Sequence, residues 1–169
     1  DETIATPGAP ARNRSGMVYF RKPGRMRWDF GGEEPMTVVS DGSTLYNYDP
    51  GLNQVVEMPL KAAFKSNGAT AFILGMGDLH RDFKAASPPR EAADGLIHLA
   101  LDPKEGGYKI EIALDPKNYD LAAVKFTDQL NNVTSIKFSE IHNNAAIADA
   151  KFAFKVPPGA DIVTAPATP

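Results

Sequence analysis

The sequence predicts a mainly β protein: about ten strands in successive antiparallel hairpins, too many for a flat sheet, with two short helical pieces as their only cover. Three observations carry this expectation. Turn-forming pairs such as Pro23-Gly24, Asp41-Gly42 and Pro50-Gly51 recur at short intervals. Between them, apolar and polar residues alternate with the period of two that gives a strand one apolar face. Helix-forming composition is concentrated in one stretch, Pro59–Leu74. At 169 residues, 43% hydrophobic and 23% charged, the chain fits a single globular domain with a substantial core. No leader opens the printed sequence, which is therefore read as a mature form or a fragment.

Residues Asp1–Arg14 hold Ile4 as their one sizeable apolar group and read as a flexible arm or a frayed strand. Strands follow at Gly16–Arg21 and Arg25–Phe30, joined at Pro23-Gly24. In the second, Met26, Trp28 and Phe30 face one way, while Arg25, Arg27 and Asp29 face the other. Met36–Ser40, Thr44–Tyr48 and Gln54–Met58 complete a five-stranded meander. Pro59–Lys65 places Pro at a first helical position, and Ala69–Leu74 is a second short apolar helix between Asn67-Gly68 and Gly75-Met76-Gly77. This stretch, 59–77, is either a helical crossover packed on a sheet or a flap with glycine hinges.

Asp78–Lys84 reads as an edge strand and Ala85–Asp94 as a Pro-containing loop. Strands resume at Leu96–Leu101, Tyr108–Leu114, Leu121–Thr127, Val133–Ile141 and Lys151–Lys155. Several alternate cleanly, which predicts a sheet with one wet face. Val156–Pro169, rich in Pro, Ala and Thr, reads as a loosely held end, with 164–169 the loosest.

Composition removes several function classes. The absence of cysteine excludes disulfides, thiol catalysis and thiolate metal sites. A net charge of −3 argues against general nucleic-acid binding. No apolar run approaches the ~20 residues of a membrane-spanning helix. His80, His98 and His142 are scattered without metal-ligand spacing, and no nucleophile or phosphate-binding motif is present. No catalytic residue, metal or cofactor is therefore expected. Arg12, Arg14, Arg21, Lys22, Arg25 and Arg27 hold six of the 18 basic residues. They form either the solvated back of the first hairpin or a docking surface for an acidic partner or anionic head groups.

Four blocks, SGMVYFRKPGRMRWDF, VSDGSTLYNYDPGLNQVVEMPL, VKFTDQLNNVTSIKFSEIHNN and KFAFKVPPGADIV, stand in order from Ser15 to Val163. Together they resemble the LolA family of periplasmic outer-membrane lipoprotein carriers. The resemblance implies an open, unclosed antiparallel β-barrel with a short helical lid, here a single domain over 15–163 with its lid at 59–77. It implies a carrier that takes triacylated lipoproteins from an inner-membrane ABC transporter and delivers them to an outer-membrane receptor. The family's arginine before proline falls on Lys22, which lacks the planar fork, so lid or partner contacts are expected from Arg21, Lys22 and Arg25. An aromatic cavity position of the family falls on Met26, and Trp28 keeps its place on the inner face.

The expected lipid-binding residues are Met17, Met26, Trp28 and Phe30 on the strands, with Phe64, Phe72, Ile73 and Leu74 in the lid; Met36 and Met58 are further candidates for a methionine-rich lining, depending on the face each takes. The family's first amphipathic helix has no counterpart in the printed sequence. A monomer is the expectation, with a dimer where that absence leaves apolar surface uncovered. The alternatives are a lipoprotein receptor or a lipoprotein-sensing regulator of the same fold, or an enzyme using the barrel as its pocket.

Overall fold

A computed structural model describes residues 1–66, 79–86, 90–105 and 107–164 of the chain. Among them the structure is mainly β and forms two sheets, neither of which closes on itself. The chain divides into two compact units, one built from Asp1–Asn13 and Asp78–Asn144, the other from Arg14–Gly77 and Ala145–Pro169.

The first unit contains β1 (Glu2–Ala5), α2 (Leu79–Asp82), β8 (Phe83–Ala85), β9 (Arg90–Glu91), β10 (Ile97–Pro103), β11 (Lys109–Leu114), β12 (Leu121–Thr127) and β13 (Val133–Lys137). With β2 (Arg12–Arg14), the strands pair in the order β2-β1-β13-β12-β11-β10-β8, and β9 also pairs with β10. Direct cross-strand partners share a face. Leu99, Ile112, Val124 and Ile136 therefore form one apolar row, with Leu101, Ile110 and Phe126 in the next. On the other face Lys125 pairs with Glu111, and Lys109 approaches Asp102 at 3.6 Å. The alternation seen in the sequence is the burial pattern of this sheet. Residues expected to be an arm or frayed strand contribute β1, whose Glu2 stands opposite Ile136.

Two elements of this unit differ from expectation. Leu79–Asp82 is a helical turn where the sequence predicts an edge strand from Asp78, and strand begins only at Phe83. The backbone N–H of Lys104 donates to the Asp82 carbonyl at 2.9 Å, and its ammonium to that of His80, so carbonyls freed at the helix end find donors. The strand predicted to reach Ile141 stops at Lys137: the Phe138 N–H makes one last bond, to the Ala122 carbonyl at 2.8 Å, and Glu140 then turns to a φ of 53°.

The second unit contains β3 (Gly16–Arg21), β4 (Arg25–Phe30), β5 (Met36–Asp41), β6 (Thr44–Asp49), β7 (Gln54–Pro59), α1 (Leu60–Ser66) and β14 (Asp161–Thr164). The sheet order is β14-β7-β6-β5-β4-β3. The five-stranded meander forms where predicted; the helix expected over Pro59–Lys65 spans Leu60–Ser66, with Pro59 ending β7 opposite Thr44, and the Ala69–Leu74 helix lies outside the described residues. The Asp41 carboxylate accepts from the Ser43 and Thr44 N–H groups and the Ser43 hydroxyl, closing the β5–β6 turn. Burial opposes its ionisation, but those donors outweigh burial and hold it below the ordinary carboxylate range.

Two segments depart from the sequence reading. Lys151–Lys155 is not a strand: a 3₁₀ turn spans Asp149–Phe152, and the residues after it pair with no sheet. The end read as loose instead returns as β14, which joins β7 in parallel with Ile162 opposite Val55. Asn53 makes this join. Its carbonyl accepts from the Asp161 N–H at 2.9 Å and its side-chain amide donates to the Gly159 carbonyl at 2.8 Å.

Candidate ligand-binding face

The site begins with the β3–β4 hairpin. Gly24 adopts a φ of 69°, open to glycine, and Arg21 stands opposite Arg25 across the turn. Gly16 allows the strands to meet at the far end, since a Cβ there would lie 2.1 Å from the Asp29 carbonyl oxygen. From β5, the fully buried Ser40 hydroxyl donates to the Gly24 carbonyl at 2.6 Å and ties the turn to the next strand. The register is thereby fixed across the sheet.

That register sorts the candidate residues. Val18, Trp28, Val38, Asn47, Val56 and Val163 form one transverse row on a single face. Phe20, Met26, Ser40, Leu45 and Met58 form the next row, and Phe30 stands beside Met36 on the other side. Three of the five methionines thus share the face of the single tryptophan. The Trp28 ring meets Phe20 nearly perpendicular at 6.0 Å and Phe30 at 5.4 Å. Met26 and Trp28 are buried.

Met17 is not brought to this face. It stands opposite Asp29, on the reverse side, and is 57% exposed. Phe64 belongs to α1, and Phe72, Ile73 and Leu74 lie outside the described residues.

Two polar atoms interrupt the apolar row. Trp28 is only 8% exposed, and its Nε1–H has no hydrogen-bond partner among the described residues. The Oδ1 of Asn47, two strands away, is also buried and unpartnered. A buried donor or acceptor left unmade costs about 1–3 kcal/mol, and finished cores rarely tolerate one. Asn47 escapes sequence reading, because in the run Thr44–Asp49 nothing local distinguishes it from an outward-facing polar residue; only its register opposite Val38 reveals its place.

The reverse face is closed by the chain's own later segment. The Arg21 guanidinium donates to the Ile147 carbonyl at 3.0 Å, pairs with Asp149 and lies 4.9 Å from the Phe152 ring centroid. Arg25 reaches Asp149 at 3.4 Å, and Lys151 sits over Tyr19. Phe154 stacks on Tyr46 at 5.1 Å. Beneath this layer Val39 and Val55 are fully buried and Phe152 is 2% exposed. Arg27 is held by Asp29 at 2.7 Å. The hydrogen bond and charge of Arg21, with the charge of Arg25, hold the Asp149 carboxyl below its usual range. Of the three basic residues expected to contact a lid or partner, two therefore bind this strap, whereas Lys22 stands exposed at the turn without an ion pair among the described residues.

The histidines are dispersed in the fold as in the sequence. His98 makes a solvent-exposed bond to Asp94 at 2.9 Å, and Asp82, next but one to His80, is held by Arg81. Among the described residues no cluster of His, Asp or Glu could hold a metal ion.

A mainly β protein of two unclosed sheets, one presenting a methionine- and aromatic-rich face, is the class this architecture defines. The chain matches the family model of the outer membrane lipoprotein carrier protein LolA over residues 4–155, and it belongs to that family. It is 34% identical over 158 residues to an outer-membrane lipoprotein carrier protein of Methylobacillus flagellatus, covering 92% of this chain and 75% of that relative. Its identity to the protein of the same description from Cupriavidus pinatubonensis is 35% over 150 residues, covering 88% and 69%. A solved structure of an uncharacterized conserved protein from Thermus thermophilus superposes with a TM-score of 0.57 over 97% of this chain and 89% of that one; at 14% identity it shows a shared fold. Membership places the protein in the periplasm, in a family of carriers and not of enzymes. The match begins within β1, at Ile4, and includes β2, both of which lie before the first block that carried the resemblance.

Proposed function

We propose that this protein carries lipoproteins by seating their acyl chains on the Trp28 face, receiving them from an inner-membrane ABC transporter and releasing them to an outer-membrane receptor. The observation that carries the reading is the gathering of Met26, Met36, Met58, Phe20, Trp28 and Phe30 on one face of a sheet whose other face is already filled. Family membership supplies the cargo class.

The physical difficulty for such a carrier is release. Each buried methylene contributes roughly 0.8 kcal/mol, so three long chains would release tens of kcal/mol and never dissociate. The grip must be a difference between two burials: the ligand displaces apolar contacts that the protein itself makes with this face when it is empty. Methionines suit this exchange, because their unbranched thioethers adapt to successive occupants without close complementarity. Lys22 contacts the lid or the partner, while Arg21 and Arg25 keep the strap in place.

Mass spectrometry of protein purified from the periplasm tests the reading, with retained acylated peptides or lipids as the expected result. Trp28→Glu should abolish retention while circular dichroism keeps its β signature. Protein that never holds an acyl ligand, or that holds one at picomolar strength without a donor, would overturn it.

A further inference from the structure

We propose that Trp28 and Asn47 recognise the linkage of the acyl ligand, not only its hydrocarbon. Trp28 Nε1–H donates to the acyl carbonyl oxygen, and Asn47 Oδ1 accepts from the amide N–H beside it. This rests on the carrier reading and goes further by naming the chemistry at the head of the chain. Both atoms are buried and unpartnered among the described residues, one a donor and the other an acceptor. They lie in the same transverse row, separated only by Val38 of β5. Two strand spacings put their backbones about 10 Å apart, and the reach of an indole and a carboxamide across a valine narrows that gap.

The remaining neighbours in the row, Val18, Val56 and Val163, offer nothing polar. A bare hydrocarbon would leave both atoms unsatisfied. An ester would satisfy Trp28 alone, whereas an N-acyl amide presents a carbonyl and an N–H together. The preferred ligand class is therefore an N-acylated amine or peptide, ahead of an ester, with a carbonyl-free chain last. Such pairing suits a carrier, because it fixes where along the face the head group sits while the chains stay free to adapt.

The single tryptophan makes the test clean. Biosynthetic replacement of Trp28 by benzothienylalanine keeps the ring shape and removes the N–H, and Asn47→Leu removes the carboxamide. Calorimetry would compare N-octanoylglycinamide, methyl octanoate and methyl octyl ether. Unaltered protein should prefer the amide to the ether by roughly tenfold, about what one or two buried hydrogen bonds confer. The benzothienyl protein should lose about fivefold or more on amide and ester and nothing on the ether. Asn47→Leu should erase the advantage of amide over ester.

The lone indole N–H proton resonance should move on addition of amide or ester and not of ether. Neither change should lower the melting temperature of the empty protein, since each removes an unmade hydrogen bond. Equal losses on all three ligands, or an unchanged order of preference, would overturn the inference while leaving the carrier reading intact. Failure of the unaltered protein to bind any of the three would overturn both.

Discussion

Strands β10–β13 and strands β3–β7 both alternate charged with apolar residues but use the charges differently. In the first sheet Lys125 and Glu111 meet across the ladder on a wet face, opposite the row of Leu99, Ile112, Val124 and Ile136. In the second, Arg25, Arg27 and Asp29 alternate just as regularly, yet their face holds Val39, Val55 and Phe152, all buried. The arginines there serve as structure. The flat guanidinium of Arg21, on the same face, lies against the Phe152 ring, and the charges of Arg21, Arg25 and Arg27 are answered by Asp149 and Asp29. Charge on alternate residues thus marks a solvent face only when no later segment brings a counter-charge and a ring to cover it.

The sharpest way to break this comparison is Phe152→Ala. If the strap is a true second layer, urea unfolding should show a loss of about 3–5 kcal/mol, comparable to the cost of Ile110→Ala in the other sheet's core. A loss below about 1 kcal/mol would return the reverse face to solvent. Next is Ser40→Ala, which strands the Gly24 carbonyl and should cost about 1–3 kcal/mol in the same measurement.

Asp149 gives a smaller, pH-dependent effect. Its carboxyl is held below the ordinary value, so the strap's contribution is complete above about pH 4 and is lost as pH falls through the depressed value. Amide-exchange protection of Lys151 and Ala153, both hydrogen-bonded within the turn, should be flat from neutral pH to that limit and decline below it. Asp149→Asn should show the reduced protection at every pH. Smallest of all, Lys125→Ala on the wet face of the first sheet should change stability by no more than about 0.5 kcal/mol. A larger cost there would erase the contrast between the two sheets.

Most of the hairpins were legible because their determinants are local. Pro23-Gly24, Asp41-Gly42 and the alternation of Met26, Trp28 and Phe30 each act within a few residues of the structure they specify. The strap resists sequence reading for a physical reason: Phe152 and Phe154 are spaced like the inward residues of a strand, but they face a sheet and do not extend one. Strand β14 is hidden because its partner, β7, is remote in sequence and Pro, Gly and Ala around it resemble a tail. The site was half visible. Trp28 and Met26 announced an apolar face, whereas Met36, Met58 and Asn47 join it, and Met17 leaves it, only through registers that successive hairpins fix together.

The chain's two units are interleaved along the sequence, each assembled from two separate stretches. Asp1 bonds to Lys137 across 136 positions, and Thr164 to Glu57 across 107. Closing loops of that length is entropically costly before any strand pairing compensates for it, and folding rates fall as such distant contacts accumulate. Neither sheet can be finished from a nascent amino-terminal half. The newly exported polypeptide should therefore fold slowly, with its greasy edges open meanwhile to wrong partners.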